Sequence, residues 1–249
     1  MVTTEEALLL AGLFFAAAIL YSSVGHGGAS GYLAAMGLIG VAPVIMRPTA
    51  LVMNIAVASI SLYKFARANG FQWRLFLPFA ITSAPMAFVG GRIQLPMAWF
   101  GVLVGAVLLY SAARLFIETM GVKVTARDPA GPPPVPLALA IGAGIGLLSG
   151  LTGVGGGIFL SPLLVLAGWA SVRESAAPTA AFILINSIAG LMGLLTRQPT
   201  LPDALPYWVA AVIAGGLIGA TFGARRLDNR ALRRALAAVL LIASGKMLI

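Results

Sequence analysis

The chemistry this chain offers is carried as much by backbone as by side chains. Gly25-His26-Gly27-Gly28 and Gly153-Val154-Gly155-Gly156-Gly157 each interrupt an apolar stretch, and Gly25 matches Gly153 at an offset of 128 residues. Glycine lets the main chain take positive φ and approach a ligand closely. A helix that begins near Gly28 also directs unsatisfied N–H groups, the positive end of its dipole, into the gap. That geometry suits an anion. The second cluster leads into Ile158-Phe159-Leu160-Ser161 and repeats the arrangement, so two positive helix ends can converge on one small oxyanion or carboxylate. Candidate binding positions are therefore Gly25, Gly27, Gly28, Gly153, Gly155, Gly156 and Gly157, with Ser22 and Thr152 flanking them.

Side chains add a short list. His26 is the single histidine, and the seven acidic residues all fall near the ends of apolar runs or between them, which leaves no carboxylate for a membrane interior. His26 is thus the one group in the broken region able to titrate near neutral pH, and it is the candidate for proton coupling. A neutral imidazole that fixes the glycine turn is the other reading, and the repeat partner of His26 is Val154. Thr49, Asn54 and Ser59 in one apolar run, and Thr179, Asn186 and Ser187 in another, are the next candidates, with interhelical hydrogen bonding as the alternative. Arg47 either steers anions into an outer vestibule or marks the end of a segment.

Other chemistries find no support. Neither cluster carries the Lys-Ser/Thr ending of a phosphate-binding loop. With no Cys and one His there is no usual zinc site and no disulfide. An enzyme would have to rest on His26 with Ser22 or Ser23, so no catalytic residue, metal or cofactor is expected.

These residues must be positioned by membrane segments. The chain has 249 residues, of which 60% are hydrophobic and only 9% charged, and its mean hydropathy of +1.00 exceeds that of ordinary soluble domains. It reads as an all-α polytopic membrane protein in contact with the lipid bilayer. The net charge of +9 sits in short connections, where it sets topology, so no nucleic-acid partner is inferred. The start, Met1-Val2-Thr3-Thr4-Glu5-Glu6, is acidic where a secretory signal is basic, so the first apolar run is expected to be retained.

Apolar runs lie at 7–24, 29–41, 48–66, 73–91, 97–118, 136–152, 156–169, 177–195, 205–224 and 232–249. The second and seventh are too short to span a bilayer, which takes about 20 residues, and each directly follows a glycine cluster. They are expected to be half-length or re-entrant. Residues 121–135, polar and then proline-rich, form a linker between an N-terminal repeat at 1–120 and a C-terminal repeat at 136–249. Pro48-Thr49-Ala50 recurs as Pro178-Thr179-Ala180, and Gly90-Gly91-Arg92 as Gly223-Ala224-Arg225.

Five segments per half is an odd number, so the repeats are expected to have inverted topology. With the N-terminus outside, twelve of the sixteen Lys and Arg residues fall on the cytoplasmic side, leaving Arg47, Arg92, Arg197 and Lys246 outside. The basic run from Arg225 to Arg234 belongs to the cytoplasmic set and is also a candidate surface for anionic lipid.

The paired motifs Gly25-His26-Gly27-Gly28 and Gly150-Leu151-Thr152-Gly153-Val154-Gly155-Gly156-Gly157-Ile158-Phe159-Leu160-Ser161-Pro162-Leu163-Leu164 resemble those of the TauE/SafE sulfite exporters, also called the TSUP family. The resemblance is reinforced by Val89-Gly90-Gly91-Arg92 and Phe222-Gly223-Ala224-Arg225, and it covers nearly the whole chain. The first motif departs from the family's form in carrying His26. The resemblance implies a secondary transporter that exports sulfite, a sulfonate or a related organic anion across a prokaryotic inner membrane, coupled to protons. An anion-selective channel is the alternative, and a homodimer is among the assemblies the sequence admits.

Overall fold

The structure is a computed structural model that describes residues 3–119, 131, 133–197, 199–223 and 230–248. Among these residues all regular structure is helical: α1 Thr4–Ser22, α2 Ala29–Ile39, α3 Pro43–Asn69, α4 Trp73–Arg92, α5 Met97–Thr119, α6 Val135–Thr152, α7 Gly157–Leu166, α8 Val172–Leu195, α9 Leu205–Gly223 and α10 Arg230–Leu248. Most of the linker at 121–135, the second half of the Gly223-Ala224-Arg225 landmark and the side chains of the basic run lie outside the described residues.

Seven helices, α1, α3, α4, α5, α6, α8 and α9, are long and apolar enough to cross a membrane, so the protein is a multi-pass membrane protein. The expected short segments are short: α2 has 11 residues and α7 has 10. At 1.5 Å per residue each reaches only about 15 Å, half of a hydrocarbon core of about 30 Å. Exposed aromatics stand at both ends of the bundle, Trp73 and Tyr63 at one and Trp99 and Tyr207 at the other, where amphipathic rings suit the lipid–water interfaces.

Local sequence explains the helix limits. Thr3 and Glu6 form a capping box at α1, and Ser171 and Glu174 form one at α8. α3 begins on Pro43 and α6 carries Pro136 as its second residue, both suited to a first turn because no N–H is lost from the ladder there. Two limits differ from the expected runs. α3 starts at Pro43 and α8 at Val172, each continuing through an internal proline, Pro48 or Pro178. The sequence reading treats those prolines as boundaries. In a packed membrane bundle, neighbouring helices hold a proline-containing helix together, so the boundary moves outward.

Direction follows from the contacts. α2 folds back along α1: Ser30 donates to Tyr21 Oη at 2.7 Å, Gly31 packs on Ala17, and Tyr32 meets Phe14 edge-on at 5.5 Å. The short second segment therefore re-enters rather than spans. α3 and α8 run antiparallel, with Leu51 against Gly190 and Phe65 clustered with Ala176 and Ala177. α5 and α10 are also antiparallel, since Gly101 lies against Met247 while Ser244 Oγ donates to Gly105 O at 2.8 Å.

Two parallel pairs complete the bundle, and both are glycine-stitched. Gly142, Gly146 and Gly150 of α6 lie on the carbonyls of Phe79, Ser83 and Ala87 of α4. Gly215, Gly219 and Gly223 of α9 lie on those of Phe15 and Ile19 in α1 and of Ser23 at its C-cap. A Cβ at any of these six glycines would run into facing backbone, which is why small residues recur at every fourth position. Renumbering every helix by five maps α1–α9 onto α6–α4 and each antiparallel pair onto itself.

Candidate functional site

Both glycine clusters are breaks in the helical backbone. Gly25, Gly28, Gly153, Gly155 and Gly156 all have positive φ, between 81° and 102°. At those angles an L side chain is strained, so the sequence must supply glycine. The breaks leave Gly28 as the N-cap of α2 and Gly156 as that of α7, and neither start has a side-chain cap. The free donors of two first turns are thus left to whatever occupies the gap.

The breaks meet in the middle of the molecule. A small cavity of about 10 Å³, room for a single water, is lined by Tyr21, His26–Ser30, Val154, Ile158 and Ile183, so both breaks contribute to its wall. Asn54 of α3 is wedged between them. Its Oδ1 faces Gly27, its Nδ2 donates to Val154 O at 3.2 Å, and the same nitrogen lies where a Cβ on Gly155 would come within 2.7 Å. From the other half, the Cγ2 of Ile183 touches Gly27 and Gly155 in the same way. Ile183 of α8, not Asn186, meets both breaks as Asn54 of α3 does. The two side chains that bridge the breaks are therefore one polar and one apolar.

Polar groups without partners gather here. Arg47 Nε, Thr49 Oγ1, Asn54 Oδ1, Thr179 Oγ1, Asn186 Nδ2 and Ser187 Oγ are buried and make no hydrogen bond in the protein. Asn54 Oδ1 lies by Gly27, Ser187 Oγ by Gly155 and Asn186 Nδ2 by Gly156, while Thr179 meets Gly157 through its methyl and Arg47 meets Gly153 through its main chain. Each such group costs on the order of 1–3 kcal/mol if left unsatisfied. The three polar atoms that stand directly against the breaks have bonding capacity to spare there.

The sequence candidates separate accordingly. Thr49, Asn54, Thr179 and Asn186 are fully buried, and Asn186 Oδ1 also accepts from Ser83 Oγ at 2.7 Å. His26 is half-buried on the cavity wall, with Nδ1 3.2 Å from Val24 O, a contact that also holds the glycine turn. Ser22 faces α9 at Gly219, away from the cavity. Thr152 Oγ1 donates to Leu148 O at 2.7 Å and accepts from Val154 N at 3.4 Å, so it braces its own helix end and the start of the second break. Ser59 is exposed and donates to Ile55 O in its own helix, so it takes no part.

Arg47 is the main departure. Neither sequence reading of it, an outer vestibule charge or a segment end, fits its place inside α3, where it is only 6% exposed. Its guanidinium donates to Ile93 O at 3.0 Å, Gly90 O at 3.1 Å, Gly91 O at 3.3 Å and Gly150 O at 2.7 Å. Those carbonyls end α4 and α6, so the charge is balanced by two negative helix ends, with no carboxylate. Tyr32 was missed as well: its hydroxyl donates to Gly27 O at 2.8 Å, bracing the first break from below. The glycine beside it, and a tyrosine four residues into a short helix, were the available signal.

Comparison with known proteins agrees with this architecture. The profile of the sulfite exporter TauE/SafE family matches residues 9–247. A probable membrane transporter protein of Sinorhizobium fredii is 39% identical over 243 residues, covering 98% of each chain. A probable membrane transporter protein of Methanocaldococcus jannaschii is 27% identical over 146 residues, covering 56% of this chain and 51% of its own. No solved structure matches. With broken helices, a bundle of spanning helices and a family profile extending over nearly all its length, the chain belongs to the TauE/SafE sulfite exporter family of membrane transporters.

Proposed function

We propose that this transporter carries a small anion, namely sulfite, a sulfonate or a related organic anion, across an inner membrane by alternating access between two inverted repeats. The repeats are residues 1–120 and 136–249, joined by a cytoplasmic linker at 121–135. The antiparallel courses of α3 against α8 and of α5 against α10 support inversion, because helices equivalent by position in the two halves point opposite ways. The observation that carries the reading is the one cavity walled by both breaks, with two uncapped helix starts beside it. The uncapped N–H groups of the two helix starts favour an anion over a cation. The name of the family adds sulfite as the first substrate to try.

At about 10 Å³ the cavity is smaller than any such ion, so loading requires the lobes to part. Asn54 and Ile183 touch both breaks and stand where that parting occurs. His26 on the wall supplies the titratable group for proton coupling. The test is uptake of labelled sulfite and a panel of sulfonates into proteoliposomes, with and without a pH gradient. Accumulation against an opposing substrate gradient is the expected result. Flux that only runs down the gradient would mark a channel, and no flux of any small anion would refute the reading.

A further inference from the structure

On the face where α4 and α8 end, a cleft of about 620 Å³ opens to the surface, lined by Phe88, Val89, Arg92, Ile93, Gln94 and Arg197. Two guanidiniums share it, and its lining contains no acid. Arg92 lies 5.9 Å from the Phe88 ring centre, a cation–π contact that holds its charge at the cleft.

The wall of the cleft is unusual. It includes Ile93 at the end of α4, a negative helix end whose carbonyls are those of Gly90, Gly91 and Ile93. Arg47 occupies all three from behind and binds Gly150 O as well. Its main chain in turn lies against Gly153, where a Cβ would come within 3.2 Å of Arg47 O. Arg47 thus ties the end of α4 beside the cleft to the second break, and its Nε is unpartnered.

Charge placement asks for a reason. Four basic residues lie on the side opposite the basic connections, so they do not serve topology. Lys246 donates to Leu38 O at 2.7 Å and Arg47 to its four carbonyls, which explains those two as helix-end partners. Arg92 and Arg197 remain, and both face the cleft.

We propose that this cleft is the outer mouth of the transport path, where Arg92 and Arg197 concentrate a soluble oxyanion as it enters or leaves. The inference rests on the anion reading above. Two exposed cations in a concave site raise the local anion concentration, an effect that salt removes.

The test uses the full chain in phosphatidylcholine vesicles, with labelled sulfite as the probe. In the double variant Arg92→Gln/Arg197→Gln, the half-saturating concentration should rise about three- to tenfold at low ionic strength, with the saturated rate changed less than twofold, and the difference should vanish in 0.5 M inert salt, roughly a Debye length of 4 Å. Equal half-saturation at low salt would overturn the proposal. A second measurement needs no variant and no transport. Sulfite should slow phenylglyoxal modification of Arg92 and Arg197, read residue by residue by mass spectrometry, at least threefold relative to Arg67 and Arg74. Protection without flux would keep the vestibule and retire the transport reading. Flux without protection would do the reverse. Protection supplied by anionic phosphatidylglycerol and not by sulfite would make the cleft a lipid headgroup site and overturn the proposal.

Discussion

Replacing Gly155 by Ala should cost the protein both stability and transport, and the structure allows the size to be worked out. Gly155 has φ of +81°, and a non-glycine residue there loses about 1–2 kcal/mol to backbone strain. The added methyl would stand 2.7 Å from Asn54 Nδ2, 2.9 Å from Ile183 Cγ2 and 3.1 Å from Ser187 Oγ. All three groups are fixed by packing, so overpacking adds about 1–3 kcal/mol. The total is about 2–5 kcal/mol, a fall in Tm on the order of 5–15 °C by the scaling for domains of this size. Gly144→Ala is the matched control. Gly144 is an exposed helical glycine of α6 with nothing near its missing Cβ, so alanine should leave Tm unchanged or raise it by the roughly 0.5–1 kcal/mol of helix propensity. Tm in detergent and initial sulfite uptake in vesicles read both variants. If Gly155→Ala matches wild type in Tm and flux, the second break does not need its left-handed backbone, and the argument from it fails.

Other outcomes follow from the same geometry. Asn54→Leu should lower uptake at least tenfold, because it removes the amide between the breaks and leaves Val154 O bare, whereas Ser59→Ala, on the exposed side of the same helix, should leave uptake unchanged. Ser171→Ala, which breaks the capping box of α8, should lower stability by about 1 kcal/mol in a thermal melt, with half-saturation unaltered. His26→Ala should abolish uptake driven by a pH gradient while sulfite-for-sulfite exchange continues. Equal loss of both would assign His26 to holding the turn through Val24 O.

Much of this was legible in the sequence because membrane segments announce themselves. Ten apolar runs correspond to the ten described helices, and the two runs too short to span became α2 and α7. Glycine clusters marked the breaks, since the positive φ found at Gly25, Gly28, Gly153, Gly155 and Gly156 leaves little room for any other residue. What stayed hidden depends on tertiary neighbours. A hydropathy profile cannot tell an arginine at a segment end from Arg47 inside α3, because the compensating carbonyls of Gly90 and Gly150 are 43 and 103 residues away. Pro48 and Pro178 stop an isolated helix but not one packed on both sides, so α3 and α8 began earlier than their prolines suggested. Asn54 and Asn186 stand out equally as polar candidates in the sequence, and only the contacts with Gly27 and Gly155 single out Ile183 as the α8 side chain that meets both breaks as Asn54 does. The glycine stitches at 142, 146, 150 and at 215, 219, 223 carried a plain four-residue period and could have been read at once as close helix contacts.

The central claim is that two breaks approaching from opposite faces enclose one anion site. Because the chain has no cysteine, single thiols can be placed at Ser30→Cys on the first lobe and Ile158→Cys on the second, both on the cavity wall. Their modification by a membrane-impermeant maleimide, applied from each side of oriented vesicles across a range of sulfite concentrations and normalised to a free thiol in the same solution because sulfite itself adds to maleimide, is the most direct measurement. Alternating access around a shared site requires each thiol to react from both sides and to be protected with the same half-maximal sulfite concentration. Two different half-maximal values, or a thiol reached from one side alone and untouched by sulfite, would contradict it.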